Sequence, residues 1–174
     1  MIGDRERGPV AMIRLVRAST ADAEALMQIC VQAFAEDIEQ WGGPIGIDQV
    51  EAHLDWMGKY LYYKVLVEEK TVGGILVDPQ DDEHCVLSAM FIAPESQNQG
   101  MGTQAISLLE EAHPAATKWS LSAVYSSHQS QNFYEKLGYV RVGETKPGDY
   151  PEIPDERFHL FLYEKRLGGD HTKG

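Results

Sequence analysis

The segment CVLSAMFIA, residues 85–93, is a near-continuous apolar run that leads through Pro94 into SQNQGMGT and then TQAISLLEEAH. A strand this apolar has to be covered on both faces, so it belongs near the centre of a sheet with layers on either side. Beyond it, Ala105, Leu108, Leu109 and Ala112 stripe one face at helical spacing, and Pro114 ends that helix. Gly100 and Gly102 stand where strand hands over to helix. A helix start exposes unpaired N–H groups and the positive end of the peptide dipole, which together bind phosphate. Glycine there lets the chain turn with positive φ and lets a ligand reach the main chain. A tight turn holding no ligand would use the same two residues.

The rest of the chain supports a sheet with helical layers. MIRLVRAS (12–19) reads as a strand, and a helix follows from Thr20, a candidate N-cap, through Ala23, Leu26, Met27, Cys30 and Phe34. WGGPIG (41–46) breaks the chain before a second helix in IDQVEAHLDWMGKY. YKVLVEE and VGGILVD read as a hairpin around Glu69-Lys70-Thr71. WSLSAVYS alternates as a strand, QSQNFYEKLG is a short helix closed by Gly138, and YVRVGET and RFHLFLYEKRL are the last strands. The order β-α-α-β-β-β-α-β-α-β-β predicts a mixed α/β layer structure. The 174 residues suit one domain, expected over 12–167, with residues 1–11 a flexible extension and 168–174 a flexible tail.

Charge narrows the partners. Twenty-seven acidic against 15 basic residues give −12, which argues against nucleic acid and anionic membranes and leaves cationic small molecules. No apolar stretch approaches the roughly 20 residues of a membrane span, and MIGDRERGPVA lacks the apolar core of a secretion signal. Cys30 and Cys85 are too few for a disulfide framework and fit a reducing cytoplasm. The six histidines and two cysteines lack metal-ligand spacing, so no metal is expected.

Three phosphate-binding patterns can be weighed against the glycine segment. A P-loop needs Gly-Lys-Ser/Thr, which is absent. GMGTQA matches G-x-G-x-x-A, but six residues separate it from the strand, and KWSLS near residue 120 has no carboxylate for a dinucleotide ribose. The third pattern is a resemblance. FIAPESQNQGMGTQAISLLE resembles the acetyl-CoA-binding motif of the GNAT N-acetyltransferases, Q/R-x-x-G-x-G/A, with Gln97, Gly100 and Gly102 at its positions. NFYEKLGYVRVGE is similar to the same family's second motif, with Tyr134 at its tyrosine. The element order fits from about Ile13 to Leu167.

The resemblance implies a mostly antiparallel central sheet flanked by helices. It implies that the main-chain amides of Gln97, Asn98, Gln99, Gly100, Met101, Gly102 and Thr103 cradle the diphosphate of coenzyme A, and that Gly102→Val would obstruct the phosphate path. Met90, Phe91 and Ile92 would pair with the pantetheine arm, an N–H of Met90 or Ile92 would hold the thioester oxygen, and Tyr134 would protonate the leaving thiolate. This sequence departs from the family pattern at three places. Ser127 stands where an asparagine is frequent, with shorter reach to pantetheine. Val86 occupies the position of a frequent glutamate base. The first loop residues, Gln97-Asn98-Gln99, carry no charge. Other groups that could accept a proton are His84, Ser88, Glu36, Asp37 and Glu39. Glu36, Asp37, Glu39 and Trp41 precede the break where the family's acceptor site opens, and could hold an ammonium group. The loop PGDYPEIPDE, with Tyr150 among Asp149, Glu152, Asp155 and Glu156, could rim that site.

The expected activity is transfer of an acetyl group from acetyl-CoA to a small cationic amine, with a protein N-terminus or lysine as the runner-up acceptor. A coenzyme A-binding sensor without turnover is the rival of a different class, and a nucleotide-dependent oxidoreductase a third. The family also suggests a homodimer, with RFHLFLYEKRL as a candidate interface strand.

Overall fold

The computed structural model describes residues 12–146, Asp149 and residues 159–168. The expectations for residues 1–11, for the loop apart from Asp149 and for residues 169–174 lie outside the described residues. Seven strands form one sheet: β1 (Ile13–Arg17), β2 (Leu61–Val67), β3 (Lys70–Pro79), β4 (His84–Ile92), β5 (Lys118–Val124), β6 (Val140–Thr145) and β7 (Leu160–Arg166). Their spatial order is β1-β2-β3-β4-β5-β7-β6. Every neighbouring pair is antiparallel except β4 and β5, which run parallel. The mixed, mostly antiparallel sheet expected from the sequence is therefore present.

The helices are α1 (Ala23–Ala33), α2 (Ala35–Trp41), α3 (Val50–Lys59), α4 (Met101–Ala112) and α5 (His128–Lys136). The strands alternate their side chains between two cores, as the pleat requires. On one face, Ile75, Val77 and Leu87 pack with Met101, Ala105, Ile106 and Leu109 of α4, beside Trp119 and Tyr163. On the other, Tyr62, Leu76 and Phe91 pack with Leu26 and Cys30 of α1 and with Trp56 of α3. β4 thus carries apolar residues on both faces because helices cover both. No helix among the described residues is long and apolar enough to cross a membrane.

Four details differ from the sequence expectation. The first helix is interrupted at Phe34, whose φ of −98° and ψ of 16° leave the helical region, so α2 departs on its own course. Ser19 rather than Thr20 opens the helical region: its N–H donates to Asp22 Oδ2 at 2.8 Å. The β2–β3 turn falls on Glu68 and Glu69, both at positive φ, one residue earlier than expected. β7 lies between β5 and β6 and pairs with both, so Leu160–Arg166 is an inner strand, and the edges of the described sheet are β1 and β6.

Candidate active site

β4 and β5 pair only at His84/Lys118, Cys85/Trp119 and Val86/Ser120, and then separate. Ser88 is the extra residue of a bulge against β3, since Leu76 pairs with Ala89 and Val77 with Leu87. Beyond it β4 follows β3 and diverges from β5, opening a wedge in mid-sheet. The Ala93 N–H donates to the Val72 carbonyl at 2.7 Å. Main-chain groups alternate sides along a strand, so the N–H of Phe91 also faces β3 and those of Met90 and Ile92 face the wedge. The Ile92 carbonyl is already occupied, accepting from Gln97 Nε2 at 2.8 Å.

At the wide end of the wedge stands the start of α4. Gly100 caps it at φ +78°, with open space where a Cβ would be. That left-handed conformation is costly for any other residue, which is why glycine stands there. The Gln97 N–H turns back to the Pro94 carbonyl at 3.2 Å, and the Gln99 side chain to the Glu95 carbonyl at 3.0 Å. The next main-chain donor is Gln104, to the Gly100 carbonyl at 3.1 Å. Between them, the amides of Asn98, Gln99, Gly100, Met101, Gly102 and Thr103 have no acceptor among the described residues. Six unengaged donors at the positive end of a helix dipole suit an anionic diphosphate. Gln97 braces this turn with both its main-chain and side-chain amides. Gly102 also meets a packing constraint: a Cβ there would meet the Phe133 ring at 3.0 Å and Met90 Cε at 3.6 Å.

A cavity of about 330 Å³ occupies the wedge and continues beneath α1 and α2. Leu87 to Phe91 form one side and Leu121 to Val124 the other, with Ser127, Ser130 and Tyr134 at the α5 end and Asp37 and Trp41 at the α2 end. The Tyr134 ring stands edge-on to Phe133 and Tyr139, at 5.0 and 5.7 Å between centroids. Tyr134 lines the cavity, its hydroxyl has no hydrogen-bond partner among the described residues, and burial raises its pKa, keeping it protonated at neutral pH. Ser127 precedes α5 and donates to Ser130 Oγ at 3.0 Å, leaving its oxygen as an acceptor.

Of the proton acceptors considered, Asp37 and Ser88 line the cavity. Asp37 accepts from Trp41 Nε1 at 3.2 Å; burial raises its carboxyl above the ordinary range despite that bond, and the charge of Glu36 adds to the rise. Glu36 and Glu39 are exposed and do not line it. His84 bonds Ser120 Oγ at the closed end of the wedge, beside Val86, and does not line it either. Ile92 and Gln97 to Thr103 do not line the cavity itself. Sequence reasoning missed the apolar wall of Phe34, Ile47, Trp56 and Tyr60. Its one signal was aromatic residues flanking WGGPIG, which read equally well as core. Cys30 forms part of the floor, its thiol pushed up to about 12 by burial. Among the described residues no cluster of metal-ligating groups occurs.

A family model described as the acetyltransferase (GNAT) family matches residues 27–139. YrkN, an uncharacterized protein of Bacillus subtilis (strain 168), is 29% identical over 139 residues, covering 75% of this chain and 74% of that protein. The crystal structure of the PaiA N-acetyltransferase from Thermoplasma acidophilum in complex with coenzyme A superposes with a TM-score of 0.71 at 15% identity, covering 90% of this chain and 99% of that one. The ribosomal-protein-S18-alanine N-acetyltransferase from Escherichia coli does so with a TM-score of 0.71 at 19% identity, covering 92% and 98%. At these identities the two crystal structures establish a shared fold.

Proposed function

The chain belongs to the acetyltransferase (GNAT) family, the acetyl-CoA-dependent N-acetyltransferases, and we propose that it acetylates the primary amine of a small cationic molecule by direct attack in a ternary complex. Acetyl-CoA supplies the acyl group: the C–S bond breaks, a C–N bond forms, and an ammonium acceptor yields an acetamide, free coenzyme A and one proton.

The chain's own groups fit that chemistry. The amides of Asn98 to Thr103 receive the diphosphate without an ion pair. The N–H groups of Met90 and Ile92, turned into the wedge, donate to the carbonyl oxygen where negative charge develops. Asp37 receives the ammonium end of the acceptor and can take up its proton. Tyr134 donates a proton to the departing sulfur. The desolvation that raises its phenol also penalises a thiolate beside it, so the two groups shift in the same direction.

One observation carries this reading: Tyr134 lines the cavity and its hydroxyl has no partner among the described residues, at the wedge where the strand edge is free. A core tyrosine would have a satisfied hydroxyl. Both cysteines are free and buried, which supports a reducing, cytoplasmic setting. A homodimer built by sheet extension would use β1 or β6.

The test is a thermal shift with acetyl-CoA, coenzyme A and NAD, followed by thiol release across small amines, a lysine peptide and a free peptide N-terminus. Stabilisation by acetyl-CoA and coenzyme A, with turnover of a small amine that Tyr134→Phe abolishes, is expected. Stabilisation without turnover on any acceptor means a sensor. Turnover confined to the peptides makes the acceptor a protein, and a response to NAD alone overturns the reading.

A further inference from the structure

The cavity has two unlike halves. The half between β4 and β5 is bounded by strand edges and by Ser127, Ser130 and Tyr134, and suits an extended acyl arm. The other half, beneath α1, α2 and α3, is walled by Phe34, Trp41, Ile47, Trp56 and Tyr60. Its walls are braced from outside. His53 is fully buried; its Nε2 donates to the Ile47 carbonyl at 2.9 Å and its Nδ1 accepts from the Tyr62 hydroxyl at 2.8 Å. The same imidazole stands edge-on to Trp56, at 4.6 Å between centroids. This wall is therefore formed by the protein's own contacts, without a ligand.

Among the described lining residues Asp37 is the one carboxylate. The indole N–H of Trp41 is spent on Asp37, so the side-chain polar groups left to an acceptor among the described lining residues of this half are that carboxylate and the hydroxyls of Tyr60 and Ser88. Resting on the acetyl-transfer reading above, we infer that the acceptor is a primary amine with one positive charge on an apolar body of one or two rings, and that Asp37 and the Phe34–Trp41–Trp56 wall select it.

A polyamine brings several ammonium groups to a half-cavity whose described lining residues offer one counter-charge, and each unpaired charge stays desolvated. An amino-sugar brings hydroxyl groups that apolar walls leave unbonded. A single ammonium can pair with Asp37 beside aromatic faces while its apolar body displaces water from the wall. The cavity of about 330 Å³ also serves the acyl arm, which limits the body to ring size.

Steady-state thiol release at saturating acetyl-CoA, with phenethylamine, spermidine, kanamycin and an alanine-initiated peptide as acceptors, tests this. The kcat/KM for phenethylamine is expected to exceed the others by at least about tenfold. Asp37→Asn is expected to raise the KM for phenethylamine about tenfold and to leave that for acetyl-CoA unchanged. Should that variant fail to fold, the wild-type protein gives the same answer: phenethyl alcohol, which lacks the charge, is expected to inhibit at least about tenfold more weakly than the amine binds. Preference for spermidine, kanamycin or the peptide overturns this inference and leaves acetyl transfer standing. So does equal potency of the alcohol. Failure of acetyl-CoA to stabilise the protein, or no thiol release with any acceptor, overturns both.

Discussion

A Cβ added at Gly102 would stand 3.0 Å from the ring of Phe133, so the start of α4 and the middle of α5 touch at a glycine. Three residues from Gly102 the Ala105 side chain is fully buried, and one residue from Phe133 Tyr134 lines the cavity. This contact ties the amide-rich turn to the helix that carries the proposed proton donor.

Gly102→Val would force the two helices apart and is expected to cost about 1–3 kcal/mol of stability, as overpacking does, and to weaken coenzyme A binding. Gly100→Ala meets open space, so its cost of about 1–2 kcal/mol comes from the left-handed backbone alone. Thermal unfolding of both variants, with coenzyme A titrations, separates steric from conformational cost. A wild-type melting temperature for Gly102→Val would mean that Phe133 is not the reason for this glycine.

Tyr134→Phe removes a hydroxyl that bonds nothing in the described protein and keeps the ring that packs on Phe133 and Tyr139. Stability is expected to stay within about 0.5 kcal/mol, while kcat falls about 10²–10⁴-fold with little change in acetyl-CoA affinity. Calorimetry beside thiol-release kinetics checks both halves. A full-rate phenylalanine variant would reduce Tyr134 to a packing residue.

No lysine or arginine lies between Ala93 and Thr117, and the donors of the α4 turn are main-chain amides. Coenzyme A affinity is therefore expected to weaken only a few-fold between low and high salt, because fixed dipoles at close range are screened less than exposed ion pairs. Titrations across ionic strength measure it. A steep loss would point to basic groups elsewhere that hold the phosphates.

His53 predicts how stability responds to acid. Burial lowers its pKa below the ordinary histidine value near 6.5, partly offset by the bond to the Ile47 carbonyl. Above that value the imidazole is neutral in both states and contributes no pH dependence. As pH falls through it, the unfolded chain binds a proton that the folded protein refuses, so stability drops. His113, bonded to the Tyr63 hydroxyl at 3.0 Å and lowered by burial and by Arg17, acts in the same direction. The melting temperature is expected to decline between about pH 7 and pH 5, with a shallower slope in His53→Gln. An unchanged slope would assign the decline to other groups.

Several features were legible in the sequence because they are local. The apolar run of β4 demands cover on both faces, and helices supply it on both. Gly100 marked a positive φ, and the free amides follow from the start of α4. Other features were not. The sequence reads as one helix through Phe34, where the chain bends and brings Asp37 and Trp41 to the cavity while Glu36 and Glu39 stay exposed. Three acids within four positions are indistinguishable until the course of α2 is known. His84 and Ser88 share a strand, yet the bulge at Ser88 and the closed pairing at His84 separate their fates.

By itself the amino-acid order determined the succession of strands and helices and the amide-rich turn, because pleat, helical period and glycine conformation are decided within a few residues; Tyr134 as a candidate donor came from the resemblance of NFYEKLGYVRVGE to a family motif. Tertiary structure alone decided the wedge between β4 and β5, the engagement of Gln97 with Ile92, the place of β7 inside the sheet and the choice of Asp37 among its neighbours. Those depend on pairing between segments far apart in the chain, where a shift of one residue turns every side chain to the opposite face.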